Sequence, residues 1–386
     1  MPIRIMHVVD TLAMGGMQNG IANLIAGLDP TRFEHVCCAM RPVHEANMQS
    51  FPAGRMRAIC LSPKETSSRI QIAALARRIR EVKPDIVHSR NWGAIEAVMA
   101  ARLVGSCASI QSEHGIDVEP AAREPKHRSC LRRLAYETAD RVMAVSYHLR
   151  DLHAGRTGFP ARKITVIHNG VDHHRFFPDA MDRISIRSEL GIADSEFCIG
   201  CVGNLIPVKD HLTLLKAADV LDHNYRNWRL LLVGDGPELP KLQAFVNDHP
   251  GWKKKVHFAG RSRRVPELLR AMDVFVLPSV SEGICNSLLE AMGAALPVAV
   301  TATGGNPEVV ANGKSGLLFP VGDWRQLASL LLLLQAEAGL CAELGKAAMR
   351  RVRENFSIDS MVRRYEEMYE SLRPAVYAPL TAASGG

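Results

Sequence analysis

Residues 278–308 read PSVSEGICNSLLEAMGAALPVAVTATGGNPE, and they follow an apolar run, DVFVL, at 273–277. The run reads as a buried strand that ends at Pro278, and NSLLEAMG reads as the helix after it. Glu282 and Glu290 stand eight positions apart across that helix start, and a third carboxylate, Glu308, follows a Gly-Gly turn. At a helical rise of about 1.5 Å per residue, eight positions place the first two roughly 12 Å apart. That separation suits a long ligand better than a single reacting bond, and a diphosphate linking a nucleoside to a sugar has about this span. The unpaired N–H groups of a helix start favour phosphate oxygens. Ligands in open α/β sheets collect beyond the carboxyl ends of the strands.

Outward from this stretch, strand and helix patterns alternate along nearly the whole chain. In the first half, strand-like segments recur at 3–9, 34–40, 56–61, 85–88, 108–112, 141–145 and 164–167, with helical patterns at 17–28, 69–82, 92–103 and 125–138. In the second half, strands are expected at 197–203, 229–233, 255–259, 273–277, 297–300 and 316–319, and helices at 209–221, 237–248, 265–271, 285–293 and 324–335. Such alternation argues for parallel sheets covered by helices on both faces. A chain of 386 residues is longer than one core needs, so two domains are expected. The boundaries read as a first Rossmann-like domain at 1–175, a linker at 176–188, a second Rossmann-like domain at 189–356, a C-terminal helix at 357–373 with Ser357 as N-cap, and a disordered tail at 374–386. Two such domains face each other across a cleft, the usual place for a ligand.

Charge is uneven. The whole chain carries +7, but residues 1–175 hold 24 Lys and Arg against 16 Asp and Glu, a net +8, and the remainder is close to neutral. The excess points to anionic partners, either a phosphorylated substrate or a membrane surface. Its densest part is Arg123, Lys126, Arg128, Arg132 and Arg133, interleaved with Leu131 and Leu134 on an expected helix, a face suited to anionic lipid headgroups. Nucleic acid is a poor partner, because aromatic residues are only 5% and do not interleave with the basic ones.

The nine cysteines are scattered, and the opening MPIRIMHVVD reads as a strand rather than an export signal. Cys198 and Cys201 match Cys-x-x-Cys, but positions three apart on a strand point to opposite faces, so they are expected to be core thiols of a reducing compartment. The longest apolar run, LASLLLLL at 327–334, is far short of the roughly 20 residues a spanning helix needs.

Three more turns follow strands and bring backbone close to a ligand. Gly15-Gly16 opens the first helix, Glu113-His114-Gly115 follows the strand at 108–112, and Gly203-Asn204 leads to Lys209 at a helix start, where an ammonium can neutralise a diphosphate.

Taken in order, VGNLIPVKD, LLVGDGP, VHFAGR, the 273–310 stretch and GKSGLLF resemble the second domain of the retaining glycosyltransferases of family four, and Gly15-Gly16, Glu113-His114-Gly115 and HNGVD at 168–172 agree with the first. The resemblance implies a GT-B fold: two Rossmann-like domains facing a cleft, with a C-terminal helix returning to the first. It also implies transfer of a sugar from a nucleotide diphosphate, UDP favoured, to an acceptor hydroxyl with retention, on a lipid-linked or exopolysaccharide glycan, with no metal or other cofactor. By the same resemblance Glu290 would hold the ribose hydroxyls. Glu282 would contact the donor sugar together with the N–H groups of Gly283, Ile284 and Cys285. Lys209 would pair with the diphosphate, Gly15 and Gly16 would close over it, and His114 would lie over the sugar. Within the family the chain is most similar to bacterial sugar transferases of exopolysaccharide and PEP-CTERM protein-sorting loci. A cytoplasmic enzyme, peripheral on the inner face of the membrane, is the implied setting.

Two positions depart from the family pattern. Asn204 stands where an arginine is usual, which weakens the expected phosphate clamp unless Arg261 or Arg263 substitutes, and Ala295 stands where glycine is common. Asn204 motivates an alternative, a catalytically weak or silent nucleotide-sugar-binding or scaffold protein. A GT-B epimerase or phosphorylase is a further alternative, although nothing in the sequence marks the pyridoxal-phosphate lysine that a phosphorylase needs.

Overall fold

The computed structural model describes residues 1–12, 15–41, 51–61, 67–115 and 125–372. Arg123 and the expected tail at 374–386 lie outside them.

Thirteen strands form two wholly parallel sheets among these residues. The first comprises β1 (Ile3–Val9), β2 (Phe33–Ala39), β3 (Met56–Cys60), β4 (Ile86–Arg90), β5 (Ala108–Glu113), β6 (Arg141–Ala144) and β7 (Ile164–Val166), in the order β3-β2-β1-β4-β5-β6-β7. The second comprises β8 (Phe197–Val202), β9 (Trp228–Val233), β10 (Val256–Gly260), β11 (Val274–Leu277), β12 (Val298–Thr301) and β13 (Leu317–Phe319), in the order β10-β9-β8-β11-β12-β13. Both orders reverse direction once, between β1 and β4 and between β8 and β11. A reversal of this kind opens a crevice at the strand carboxyl ends. Val202, Leu277, Val9 and Arg90, the last residues of these four strands, are therefore followed by the loops that build the cleft.

The central strands are buried on both faces, as parallel sheets require, whereas the edge strand β3 is not. Cys198 and Cys201 illustrate this: both are buried and packed into separate hydrophobic clusters on opposite faces of β8. The Leu-rich segment forms a helix, Trp324–Ala336, whose Leu327, Leu331 and Leu334 enter the core of the second domain. No single helix among the described residues is long and apolar enough to cross a membrane.

The helix Ile358–Ser371, capped by the Ser357 side chain, returns to the first domain. Val362 fills the space above Gly27, Arg32 pairs with Glu366 and Glu370, and the rings of Tyr369 and Phe33 stand 6.3 Å apart.

Three expectations change. Residues 180–189 of the expected linker form a helix, Ala180–Glu189, capped by Asp179. Its polar appearance comes from Arg183 and buried Arg187, which reach Asp273 and the carbonyl of Ala271 just before β11. The 18-residue helix Ala338–Asn355 was not expected at all; it buries Leu344, Ala348 and Val352 at four-residue spacing. In the basic helix Lys126–Thr138, Arg132 is not on the solvent face. It is 1% exposed and donates to the carboxylate of Glu113 at 2.5 Å. Ala295 has φ 59°, in the left-handed region, which explains why glycine suits that position.

Candidate functional site

The two strand-order reversals face one another across a cleft of about 740 Å³. All ten residues singled out from the sequence line it: Gly15, Gly16 and His114 from the first domain, and Asn204, Lys209, Glu282, Gly283, Ile284, Cys285 and Glu290 from the second.

Glu282 lies in the turn between β11 and the helix Asn286–Gly293, four residues ahead of the helix start, while Glu290 lies inside the helix. The Glu282 carboxylate is the hub of the second-domain wall. Its Oε1 accepts from Lys209 Nζ at 2.5 Å and from Ser279 Oγ at 2.6 Å. Lys209 reaches it from the short turn Pro207–Lys209 after β8, and Val280 N donates to Val208 O to tie the two loops together. Burial works to lower the Lys209 pKa, but Cys285 and Glu282 beside it carry it above its ordinary value. The ammonium is thus charged and only 17% exposed, facing the cleft from its floor. Burial pushes the Glu290 carboxyl up to about 7, against the pull of Arg175, which also lines the cleft.

Close backbone approach fixes the Glu282 turn. A Cβ on Gly283 would stand 2.4 Å from the carbonyl oxygen of His114, so only glycine lets the two domains meet there. Gly304 has φ 57°, and a Cβ on it would stand 2.0 Å from Glu282 O. The Gly-Gly turn thereby braces the Glu282–Gly283 backbone from behind, with Gly305 N donating to Glu282 O.

From the first domain, His114 follows β5 beside Asn91, whose Oδ1 accepts from His114 N at 2.7 Å. Asn91 itself takes φ 57°, a strained setting for a non-glycine residue. Burial and the nearby Arg90 guanidinium, opposed by Glu113, lower the His114 imidazole to about 3, so it is neutral at physiological pH. Beneath it, Glu113 accepts from Arg132 and from the Tyr136 hydroxyl at 2.7 Å; although burial works to raise its pKa, Arg132 and His153 hold it down to about 2.

Sequence reasoning named Glu308 without a role. The structure places it across the domain boundary: its carboxylate accepts from Tyr147 N at 2.9 Å and His148 N at 2.7 Å, at the start of the helix Tyr147–Thr157, and stands 3.1 Å from His168 Nε2. Asn169 and Asn286 add two more cross-domain bonds, to Ile284 O at 3.0 Å and Gly16 O at 2.8 Å. Reasoning from sequence missed Arg175, Asn169 and Asn286. Arg175 and Asn169 sit next to HNGVD or within it, which was the available signal. Asn204 is exposed on the cleft wall, with Arg261 and Arg263 lining the same cleft.

Two family models match the chain in succession: glycosyltransferase family 4 over residues 14–175 and glycosyl transferases group 1 over residues 182–351. The chain is 32% identical over 305 residues to the N-acetyl-alpha-D-glucosaminyl L-malate synthase of Bacillus anthracis, which covers 77% of this chain and 78% of that protein. It is 25% identical over 375 residues to the UDP-Gal:alpha-D-GlcNAc-diphosphoundecaprenol alpha-1,3-galactosyltransferase of Escherichia coli, covering 95% and 96%. Among solved structures, Anabaena Alr3699/HepE in complex with UDP-glucose superposes with a TM-score of 0.81 at 20% identity, covering 96% of this chain and all of that one. The two-domain architecture is that of the GT-B fold.

Proposed function

The chain belongs to the group 1 glycosyl transferases, glycosyltransferase family 4, and from that premise we propose that it moves a sugar from a nucleotide-diphosphate sugar to an acceptor hydroxyl with retention of anomeric configuration. The observation that carries the proposal is the convergence of a charged lysine, Lys209, with Glu282 and Glu290 on one wall of the interdomain cleft. In this reading Glu290 accepts the ribose hydroxyls, and the start of the helix Asn286–Gly293, with Lys209, carries the diphosphate. Glu282 and the N–H groups of Gly283, Ile284 and Cys285 hold the sugar, under the roof formed by His114, Gly15 and Gly16.

The bond from the anomeric carbon to the diphosphate breaks, the acceptor oxygen bonds to that carbon from the same face, and its proton passes to the leaving phosphate oxygen. Charge grows on the diphosphate as its bond breaks, so a preorganised ammonium and helix start lower the barrier. These groups supply the charge stabilisation without a metal or other cofactor in the proposed mechanism. His114, neutral and half-buried, orients the sugar rather than donating a proton.

UDP is the favoured nucleotide, supported by the Escherichia coli relative named for UDP-Gal. That relative's diphosphoundecaprenol acceptor supports a lipid-linked glycan here, as in exopolysaccharide assembly at the inner face of the cytoplasmic membrane, the loci including those of PEP-CTERM sorting. The membrane-facing surface we assign is the exposed side of Lys126–Thr138, where Leu131 and Leu134 are each half-exposed on the same helix as exposed Lys126, with Arg132 now excluded. Leu131→Asp with Leu134→Asp should abolish sedimentation with anionic vesicles; undiminished binding removes this surface from the account.

The transfer is tested by a thermal-shift panel of UDP, GDP, ADP and dTDP sugars, followed by proton NMR of the product's anomeric coupling. One donor should raise the melting temperature and yield the donor's own anomeric configuration. An inverted product contradicts the mechanism. Binding with no nucleotide release leaves the silent sugar-binding reading that Asn204 motivates.

A further inference from the structure

Beneath the cleft lie buried polar groups that donor binding does not use. Three of them, Tyr369, His88 and Ser112, lead end to end to His114. Tyr369, on the C-terminal helix, places its hydroxyl 2.9 Å from His88 Nδ1 on β4. His88 Nε2 stands 3.0 Å from Ser112 Oγ on β5, and Ser112 Oγ stands 3.0 Å from His114 Nε2 at the cleft. Tyr369, His88 and Ser112 are completely buried.

The direction of each proton follows from what the end groups can do. The Tyr369 hydroxyl faces the Arg90 guanidinium, which can only donate, so the phenol proton goes to His88 Nδ1. Neutral His88, with Nδ1 accepting, carries its proton on Nε2 and donates it to Ser112. Ser112 gives its single proton to the carbonyl of Ser89 at 3.0 Å. Its two lone pairs then accept from His88 and from His114, so His114 must be the Nε2–H tautomer. This assignment pairs every proton in the chain and keeps the bond from Ser112 to the Ser89 carbonyl, which the alternative, Ser112 donating to His114 Nε2, would give up. Arg90 reinforces it on the other side by donating to His7 Nδ1 at 2.8 Å.

We propose that Ser112, backed by His88 and by Tyr369 of the C-terminal helix, is the positioning residue that locks His114 in the Nε2–H tautomer and leaves Nδ1 as the acceptor for a hydroxyl of the bound sugar. The proposal deepens the donor-binding reading and rests on it for the sugar. It gives the returning helix a task in the transfer: the residue that completes the chain is separated from His88 by 281 positions and arrives only when the C-terminal helix docks. Burial and Arg90 keep His114 neutral, so tautomer choice, not charge, is what the chain controls.

The test uses the full-length protein labelled with 15N-histidine. Long-range proton–nitrogen correlation should show His114 and His88 as single Nε2–H tautomers in the wild type. Ser112→Ala should turn His114 into a mixture of tautomers and lower kcat by about 3- to 10-fold, the range of one hydrogen bond, with donor affinity within about twofold of wild type. Tyr369→Phe, which removes one oxygen and leaves packing intact, should disturb the His88 nitrogen shifts, whereas Tyr365→Phe, whose ring stands 6.1 Å from the His88 ring, should not. An Nδ1–H tautomer for His114 in the wild type overturns the proposal, as does a Ser112→Ala protein with wild-type kcat and a single His114 tautomer. The tautomer readout needs no turnover, so a wild type with the stated tautomers but no nucleotide release from any donor sinks the transferase reading alone.

Discussion

Lys209 Nζ lies 2.5 Å from Glu282 Oε1, so the ammonium assigned to the donor diphosphate and the carboxylate assigned to its sugar are partners of each other. The pair holds both side chains where a ligand must meet them, and a donor adds phosphate oxygens to the free side of the lysine rather than recruiting a mobile chain.

Replacing the lysine by a neutral side chain of similar length should therefore cost donor binding the ~1.5–3 kcal/mol of a charged hydrogen bond, about 10- to 150-fold in Kd. Lys209→Met measured by calorimetry tests this. Lys209→Arg should not restore affinity, because a planar fork cannot occupy the point-charge position between Glu282 and Cys285.

Donor affinity should fall with acid. Burial holds Glu290 at about 7, and a ribose held by two donated hydroxyls prefers the carboxylate. Binding then expels a proton below pH 7, and affinity should drop about fivefold as pH falls from 7 to 6 and approach tenfold per unit below that. Glu290→Gln should bind more weakly and with no such slope. The same raised pKa stabilises the fold below the unfolded value of 4.5, and that contribution is lost as pH rises to 7, by up to about 3 kcal/mol. The melting temperature of Glu290→Gln should accordingly be flatter than wild type over that window.

Glu308 caps a helix of the opposite domain. Burial works to raise its pKa, but His168 and the N–H groups of His148 and Tyr147 lower it below 4.5. The cross-domain bond is then complete above pH 4.5 and is lost as pH falls through the lower folded value. Glu308→Gln can accept only one of the two N–H groups, and should increase the radius of gyration in small-angle scattering at neutral pH while lowering kcat. An unchanged radius would detach Glu308 from domain closure.

Arg132 and Glu113 are each 1% exposed, and removing one partner strands the other charge. Arg132→Leu should destabilise the protein by ~3–5 kcal/mol in chemical denaturation, far more than any surface arginine of the same helix.

Adding a guanidinium to the exposed Asn204 position should repair the clamp. Asn204→Arg is expected to tighten donor binding by about 3- to 10-fold, less than a buried pair because solvent screens it.

The sheets were legible because a period-two or continuous apolar run is a local property, and the second-domain wall of the cleft was legible because Glu282, Glu290 and the Gly-Gly turn lie within 31 residues of one another. Arg132 was misread because a basic helix face looks the same whether or not a carboxylate waits beneath it, and Glu113 lies on a different strand. The helix at 180–189 was misread as a linker because its arginines look solvated until Asp273, about 90 positions away, pairs with them. Glu308 and Tyr369 act across 160 and 281 positions, where no local pattern reports a partner. The helix Ala338–Asn355 could have been found, since Leu344, Ala348 and Val352 recur every four residues without a proline.

The central claim is that the cleft turns over a nucleotide-diphosphate sugar on Lys209. Release of nucleotide diphosphate from the UDP, GDP, ADP and dTDP sugars measures it most directly, in wild type and Lys209→Met side by side. One donor should be consumed by the wild type, at a rate at least about tenfold lower in Lys209→Met. No release from any donor, or equal release by the two proteins, would contradict the account.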